Sequence, residues 1–190
     1  MKRAFLALGL LALLAVPASA GGGVGMHAGW ADMSEADNDA GWGLLFQIGV
    51  TPHVDIQVRG TDFRSLNVAA SNSNQLDSDF EFQATILDLG FKYNFTKDGR
   101  RLTPYLGAGG SYYLLDSTPG SKGRIGDEYG WHGIAGLSLP IATRWNVYLE
   151  AMWRDAKMTI KGDDLGLGGP VDVGVDLNGP QVNLGIALTW

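Results

Sequence analysis

The sequence predicts an all-β fold, an eight-stranded antiparallel up-and-down transmembrane β-barrel. Three observations carry this prediction. Eight segments alternate large apolar residues with polar or small ones at period two. Tight turns alternate with long polar connections along the chain. All six tryptophans stand where a segment ends. Composition agrees: charged residues are 18% of the 190-residue chain, against about a quarter in soluble domains. The mean hydropathy of +0.01 argues against helical spans and leaves strands as the way across a membrane. The 28 glycines follow no Gly-X-Y period, which excludes collagen, and the lack of cysteine excludes a disulfide scaffold or a thiolate metal site.

Residues 1–20 are predicted to be a signal peptide. Lys2 and Arg3 supply the basic start, residues 4–16 the apolar stretch, and Ala18-Ser19-Ala20 the small-x-small cleavage site, with cleavage after Ala20. The apolar run falls short of the ~20 residues of a membrane-spanning helix. Residues 21–190 form the barrel domain. Losing Lys2 and Arg3 moves the formal charge from −6 to −8, which disfavours a nucleic-acid partner.

The first strand is predicted at 24–31. The second, 42–50, alternates Trp42, Leu44, Phe46, Ile48 and Val50 with Gly43, Leu45, Gln47 and Gly49, and the third covers 54–60. The fourth, 80–95, changes parity: Leu87, Leu89, Phe91, Tyr93 and Phe95 share one face, whereas Phe80, Phe82, Ala84 and Ile86 fall on the other. Either a bulge near Ile86 resets the register or the strand continues above its buried zone, the second being favoured. The fifth, 104–115, sets Leu106, Ala108, Gly110, Tyr112 and Leu114 against Tyr105, Gly107, Gly109, Ser111 and Tyr113. In the sixth, 131–139, Ile134 falls on the small-residue face. The seventh, 145–154, is the cleanest, with Trp145, Val147, Leu149, Ala151 and Trp153 on one side. The eighth, 181–190, repeats that pattern through Val182, Leu184, Ile186, Leu188 and Trp190.

The tight turns are 51–53, 96–100 and 140–144; the long polar connections are 32–40, 61–79, 116–130 and 155–180. Such a meander closes naturally into a barrel. Alternation alone leaves open whether the apolar face points inward, as in a soluble periplasmic or secreted ligand-binding barrel, or outward to lipid. Aromatic placement favours outward. Trp30, Trp42, Tyr112, Trp131 and Trp153 cluster toward the long loops, and Tyr93, Trp145 and Trp190, with Phe95 and Tyr105, toward the turns. Residues 145 and 153 are separated by on the order of 20 Å of height at a ~40° tilt, close to the ~25 Å apolar band. The opposite face is rich in glycine, as suits a narrow bore filled by side chains.

Isolated charged and polar residues sit on that inner face: Arg59, Asp88, Glu150 and His132 at one depth by residue count, Lys92, Asp55, Gln57 and His27 lower, Arg154 higher. Opposite charges at one level are expected to pair into a plug, because an unpaired buried ion is costly. A gate that rearranges to pass a small solute is the functional alternative. The acids Asp32, Glu35, Asp37, Asp39, Asp163, Asp164, Asp172 and Asp176 are read as solvated loop residues. Divalent-cation or lipopolysaccharide bridging is the alternative, disfavoured because residues 37–41 lack the full calcium-loop spacing. Val171, Val173, Val175 and Leu177 alternate against Met158 and Ile160, predicting that the last two strands extend beyond the membrane as a hairpin.

These features together resemble the small eight-stranded outer-membrane β-barrel proteins of Gram-negative bacteria, the OmpA/OmpX/OmpW-like, porin-like group. The resemblance covers residues 21–190 and is most specific in the closing Asn183-Leu184-Gly185-Ile186-Ala187-Leu188-Thr189-Trp190. This octet is similar to the family's C-terminal insertion signal, with tryptophan where phenylalanine is more usual. The run Pro104-Tyr105-Leu106-Gly107-Ala108-Gly109 also resembles one common on the fifth strand of such barrels. The resemblance implies that Asn183, Gly185, Leu188 and Trp190 are read by the barrel-assembly machinery. It further implies outer-membrane lipid and lipopolysaccharide as surroundings, a monomer, no cofactor, and a structural or porin-like role, with passage of small hydrophobic molecules as in OmpW-like members. Lipid-modifying relatives raise an enzyme as a remote alternative. It is disfavoured because His27 has no nearby serine in its strand, His132 is followed by Gly133-Ile134 and His53 lies in a turn.

Overall fold

The computed structural model describes residues 21–33, 36–68, 80–96, 102–117, 124–125, 127–161 and 172–190. The predicted signal peptide and residues 97–100 of the second turn lie outside them, as do Glu35, Asp163, Asp164 and Val171. The strands are β1 Gly22–Met33, β2 Ala36–Gly49, β3 Val54–Val68, β4 Phe80–Asn94, β5 Thr103–Ser117, β6 Arg124–Ile125, β7 Glu128–Pro140, β8 Trp145–Lys161, β9 Asp172–Asp176 and β10 Gly179–Thr189. Eight of these, all but β6 and β9, pair antiparallel with their neighbours in sequence. β10 pairs with both β8 and β1, so the sheet closes into a barrel without a free edge.

The question of sidedness is settled by which parity is buried. Met26, Leu89 and Phe91 are 56%, 60% and 63% exposed, while Arg59, Glu150 and Arg154 are 2% or less. A water-soluble barrel requires the reverse. All six tryptophans share the outward parity and are 44% to 54% exposed; Trp145 opens β8 and Trp190 follows β10, whereas Trp42 and Trp153, expected at strand ends, lie mid-strand because β2 and β8 run on past the loop-side aromatic girdle. Tyr105 is a correction: it does not join the lower girdle but is buried inside, as its parity with Gly107 and Gly109 requires.

The strands run further than the sequence suggests. β1 and β2 continue to a Met33–Ala36 pair across a register shift between Ala31 and Met33, so Asp32, Asp37 and Asp39 lie on strands rather than in a loop. Continuing the ladder beyond the apolar band satisfies backbone groups that a loop would leave to water. Above the barrel, β9 adds to β8 with Met158 opposite Val175 and Ile160 opposite Val173, the extension that the valine alternation predicts. On the other edge of β8, β6 pairs with Ile160 and Lys161.

The parity change in β4 has a simple cause. Pairing with β5 runs without a shift from Phe82–Ser117 to Asn94–Tyr105, so no bulge occurs at Ile86. The irregularity falls in β3, between Phe63 and Leu66. Ala84 and Ile86 point into the bore, which becomes apolar at that height, and both are buried.

Candidate functional site

The interior is stratified along the barrel axis. At the turn end it opens as a polar vestibule of about 210 Å³, lined by Gln47, Asp55, Lys92, Asn94, Ser138 and Asn146 among others. Lys92 Nζ lies 3.0 Å from Asp55 and donates to Gln47 at 2.8 Å. The Asn94 amide donates to Asp55 at 2.9 Å. Lys92 also stands 5.2 Å from the Tyr105 ring centroid, within cation–π range. This cluster therefore lies below the main charge network, where residue counting puts it.

At mid-height two ion pairs close the bore. The Arg59 guanidinium forks onto both oxygens of Glu150, with Nη2 to Oε2 at 2.9 Å. Arg154 forks onto Asp88 at 2.7 and 2.8 Å. Bidentate pairing fixes geometry as well as charge. The pairs are bridged: Glu150 accepts from Asn183 at 3.0 Å, Asn183 accepts from Gln181 at 2.5 Å, and Gln181 accepts from Arg154 Nε at 2.8 Å. Tyr105 donates its hydroxyl to Glu150 at 3.1 Å. The space beside Arg59, Asp88 and His132 is about 10 Å³, room for about one water.

His132 joins through a residue that its own strand does not reveal. Ser111 donates to Asp88 at 2.8 Å and stands 2.9 Å from His132 Nδ1. With the hydroxyl proton on Asp88, Nδ1 is the donor to Ser111. Serine, histidine and aspartate thus meet, but the hydroxyl faces the acid, Arg154 donates to the same oxygen at 3.2 Å, and all are buried. Nucleophilic activation needs a base that takes the serine proton and space for an acyl group. His27 differs from the count-based depth: it contacts Thr61 at 3.1 Å, one inward position above Arg59, because barrel shear offsets equal counts in different strands.

Above this network the lining turns apolar. Phe63, Ile86 and Tyr113 are fully buried, and Met33, Ala84, Leu115 and Leu177 are almost so. Among the described residues no set of histidine and acidic side chains converges as metal ligands do. Of the acids read as loop residues, Asp172 and Asp176 lie on β9, and Asp176 faces Lys157 at 3.8 Å, with both side chains exposed.

Comparison with known proteins gives this architecture a family. Residues 4–186 match the family described as outer membrane protein beta-barrel domain. No curated protein matches the chain in sequence. Among solved structures, the outer membrane protein OprG of Pseudomonas aeruginosa aligns with a TM-score of 0.73 at 15% identity, covering 90% of this chain and 96% of that one. Neisserial surface protein A gives 0.62 at 14%, with 91% and 99% covered. The E. coli outer membrane protein W gives 0.57 at 17%, with 89% and 98% covered. At such identities the likeness establishes the fold, and the family match extends over nearly the whole sequence. The outward apolar wall is thus a lipid-facing surface, and the chain belongs to the outer membrane protein beta-barrel domain family as an integral outer-membrane β-barrel.

Proposed function

We propose that the protein is a structural barrel of the Gram-negative outer membrane whose bore is shut at rest. The observation that carries this reading is the pair of bridged bidentate ion pairs at mid-height. In planar bilayers the protein is expected to carry no steady ion current. A stable open level in the unaltered protein would overturn the reading and make it a porin.

One observation favours a second reading, passage of small hydrophobic molecules. The upper lumen is lined by Phe63, Ile86 and Leu115 rather than by polar groups. Uptake of an apolar solute by protein-containing vesicles, without ion current, distinguishes this from a purely structural role. Catalysis is not part of the proposal, since Ser111 is buried and His132 faces only about one water's worth of space.

The proposal includes export with cleavage after Ala20, insertion as a monomer through a terminal signal of Asn183, Gly185, Leu188 and Trp190, and lipopolysaccharide as a neighbour. Fractionation is expected to give carbonate-resistant outer-membrane protein whose migration changes on heating, with Gly21 as the first residue. Recovery from soluble periplasm would sink the proposal.

A further inference from the structure

The lipid-facing wall carries a recess that neither the bore nor the girdles account for. Its centre is Gly60 of β3, which pairs with Leu44 of β2 and Leu87 of β4. A β-carbon added at Gly60 meets only Leu87 Cδ2, at 3.5 Å, and the residue does not have positive φ. Neither backbone conformation nor packing therefore requires glycine here. The result is an apolar groove of about 380 Å³ whose walls include Trp42, Leu44, Phe46, Val58 and Leu87. Phe46 is only 8% exposed, whereas Phe91, also on the outward face, is 63% exposed.

The groove runs from the row Trp42–Asp62–Thr85 down to the row Phe46–Val58. That is roughly 13 Å along the strands, about half of the ~25 Å apolar band. Its upper end lies at the loop-side girdle, so it belongs to the outer leaflet. Polar groups rim that end: Thr85 donates to Asp62 at 3.1 Å, and Arg64 stands 3.6 Å from Asp62 with its side chain 75% exposed. A recess in hydrocarbon does not stay empty, and filling it yields no hydrophobic gain because the competing lipid is equally apolar. Selectivity must come from the rim. An exposed guanidinium suits a phosphate, and a carboxylate and hydroxyl suit sugar hydroxyls.

We propose that the Gly60 groove holds an acyl chain of lipid A, with the phosphorylated saccharide headgroup against Arg64, Asp62 and Thr85. This deepens the proposed contact with lipopolysaccharide and rests on outer-membrane placement, which fractionation tests separately. The experiment uses the full mature barrel in phosphatidylethanolamine nanodiscs containing lipid A with a photoactivatable acyl chain. Labelling is expected to concentrate on the Leu44 and Leu87 segments over Leu137 and Leu149 on the β7–β8 wall. Gly60→Leu fills the groove and is expected to cut that labelling several-fold without altering heat-modifiable migration or labelling near Leu149. Arg64→Ala, which leaves the groove intact, is expected to reduce labelling by lipid A but not by equally tagged phosphatidylethanolamine. Uniform labelling around the barrel, equal groove labelling by the phospholipid, or indifference to both substitutions would each overturn the proposal.

Discussion

Arg59→Ala is expected to destabilise the folded barrel by about 3–5 kcal/mol, the range for removing one partner of a buried ion pair. The loss arises less from the missing attraction than from what remains: Glu150, 1% exposed, keeps Tyr105 and Asn183 as donors but loses its counter-charge. Combining Arg59→Met with Glu150→Leu removes both charges and is expected to recover most of the deficit, because apolar replacements of buried pairs are often neutral or stabilising. Urea unfolding in lipid vesicles, followed by heat-modifiable migration, measures both variants. Equal stability of the parent and the single variant would mean that water reaches Glu150 and that the bore is not closed at this level.

The second large effect compares two adjacent glycines of β5. A β-carbon at Gly109 presses on the Leu89 carbonyl oxygen and stands 2.5 Å from Gly90 Cα and 2.9 Å from His132 Cε1. At Gly110 the nearest atom is the Gly130 carbonyl oxygen at 3.9 Å. Gly109→Val is therefore expected to block folding, exceeding the ~1–3 kcal/mol typical of overpacking because backbone has to yield. Gly110→Val faces lipid and is expected to fold as the parent does. Refolding yield into vesicles reads the contrast, and equal behaviour of the two would contradict the assignment of faces.

That contrast also shows what the sequence could reveal. Parity alone sorts Gly109 from Gly110 and puts Arg59, Asp88, Lys92, Glu150 and Arg154 on the inner face, since a strand has only two sides. Depth was less legible. Counting from the turns ignores shear, so His27 was expected below Arg59 and meets Thr61 above it. Ser111 carried no signal because it sits in a run of glycine and tyrosine on both faces; its role depends on β4 and β7 arriving beside it. Tyr105 combined the aromatic character of a girdle residue with the parity of a bore residue, and parity prevailed. The groove at Gly60 was illegible for a related reason: a glycine marks a recess only when the side chains on neighbouring strands are known.

The bridged network has a consequence for the order of assembly. Its members come from β3, β4, β5, β7, β8 and β10, and both bidentate pairs join strands of different hairpins, β3 to β8 and β4 to β8. The final strand contributes Gln181 and Asn183, which link Arg154 to Glu150, and it also makes the seam with β1. A nascent chain halted before that strand leaves both ions short of partners in a low-dielectric enclosure. Closure of the ring and completion of its interior hydrogen bonding are thus a single event, and the interior chemistry acts as a check that the whole chain has arrived.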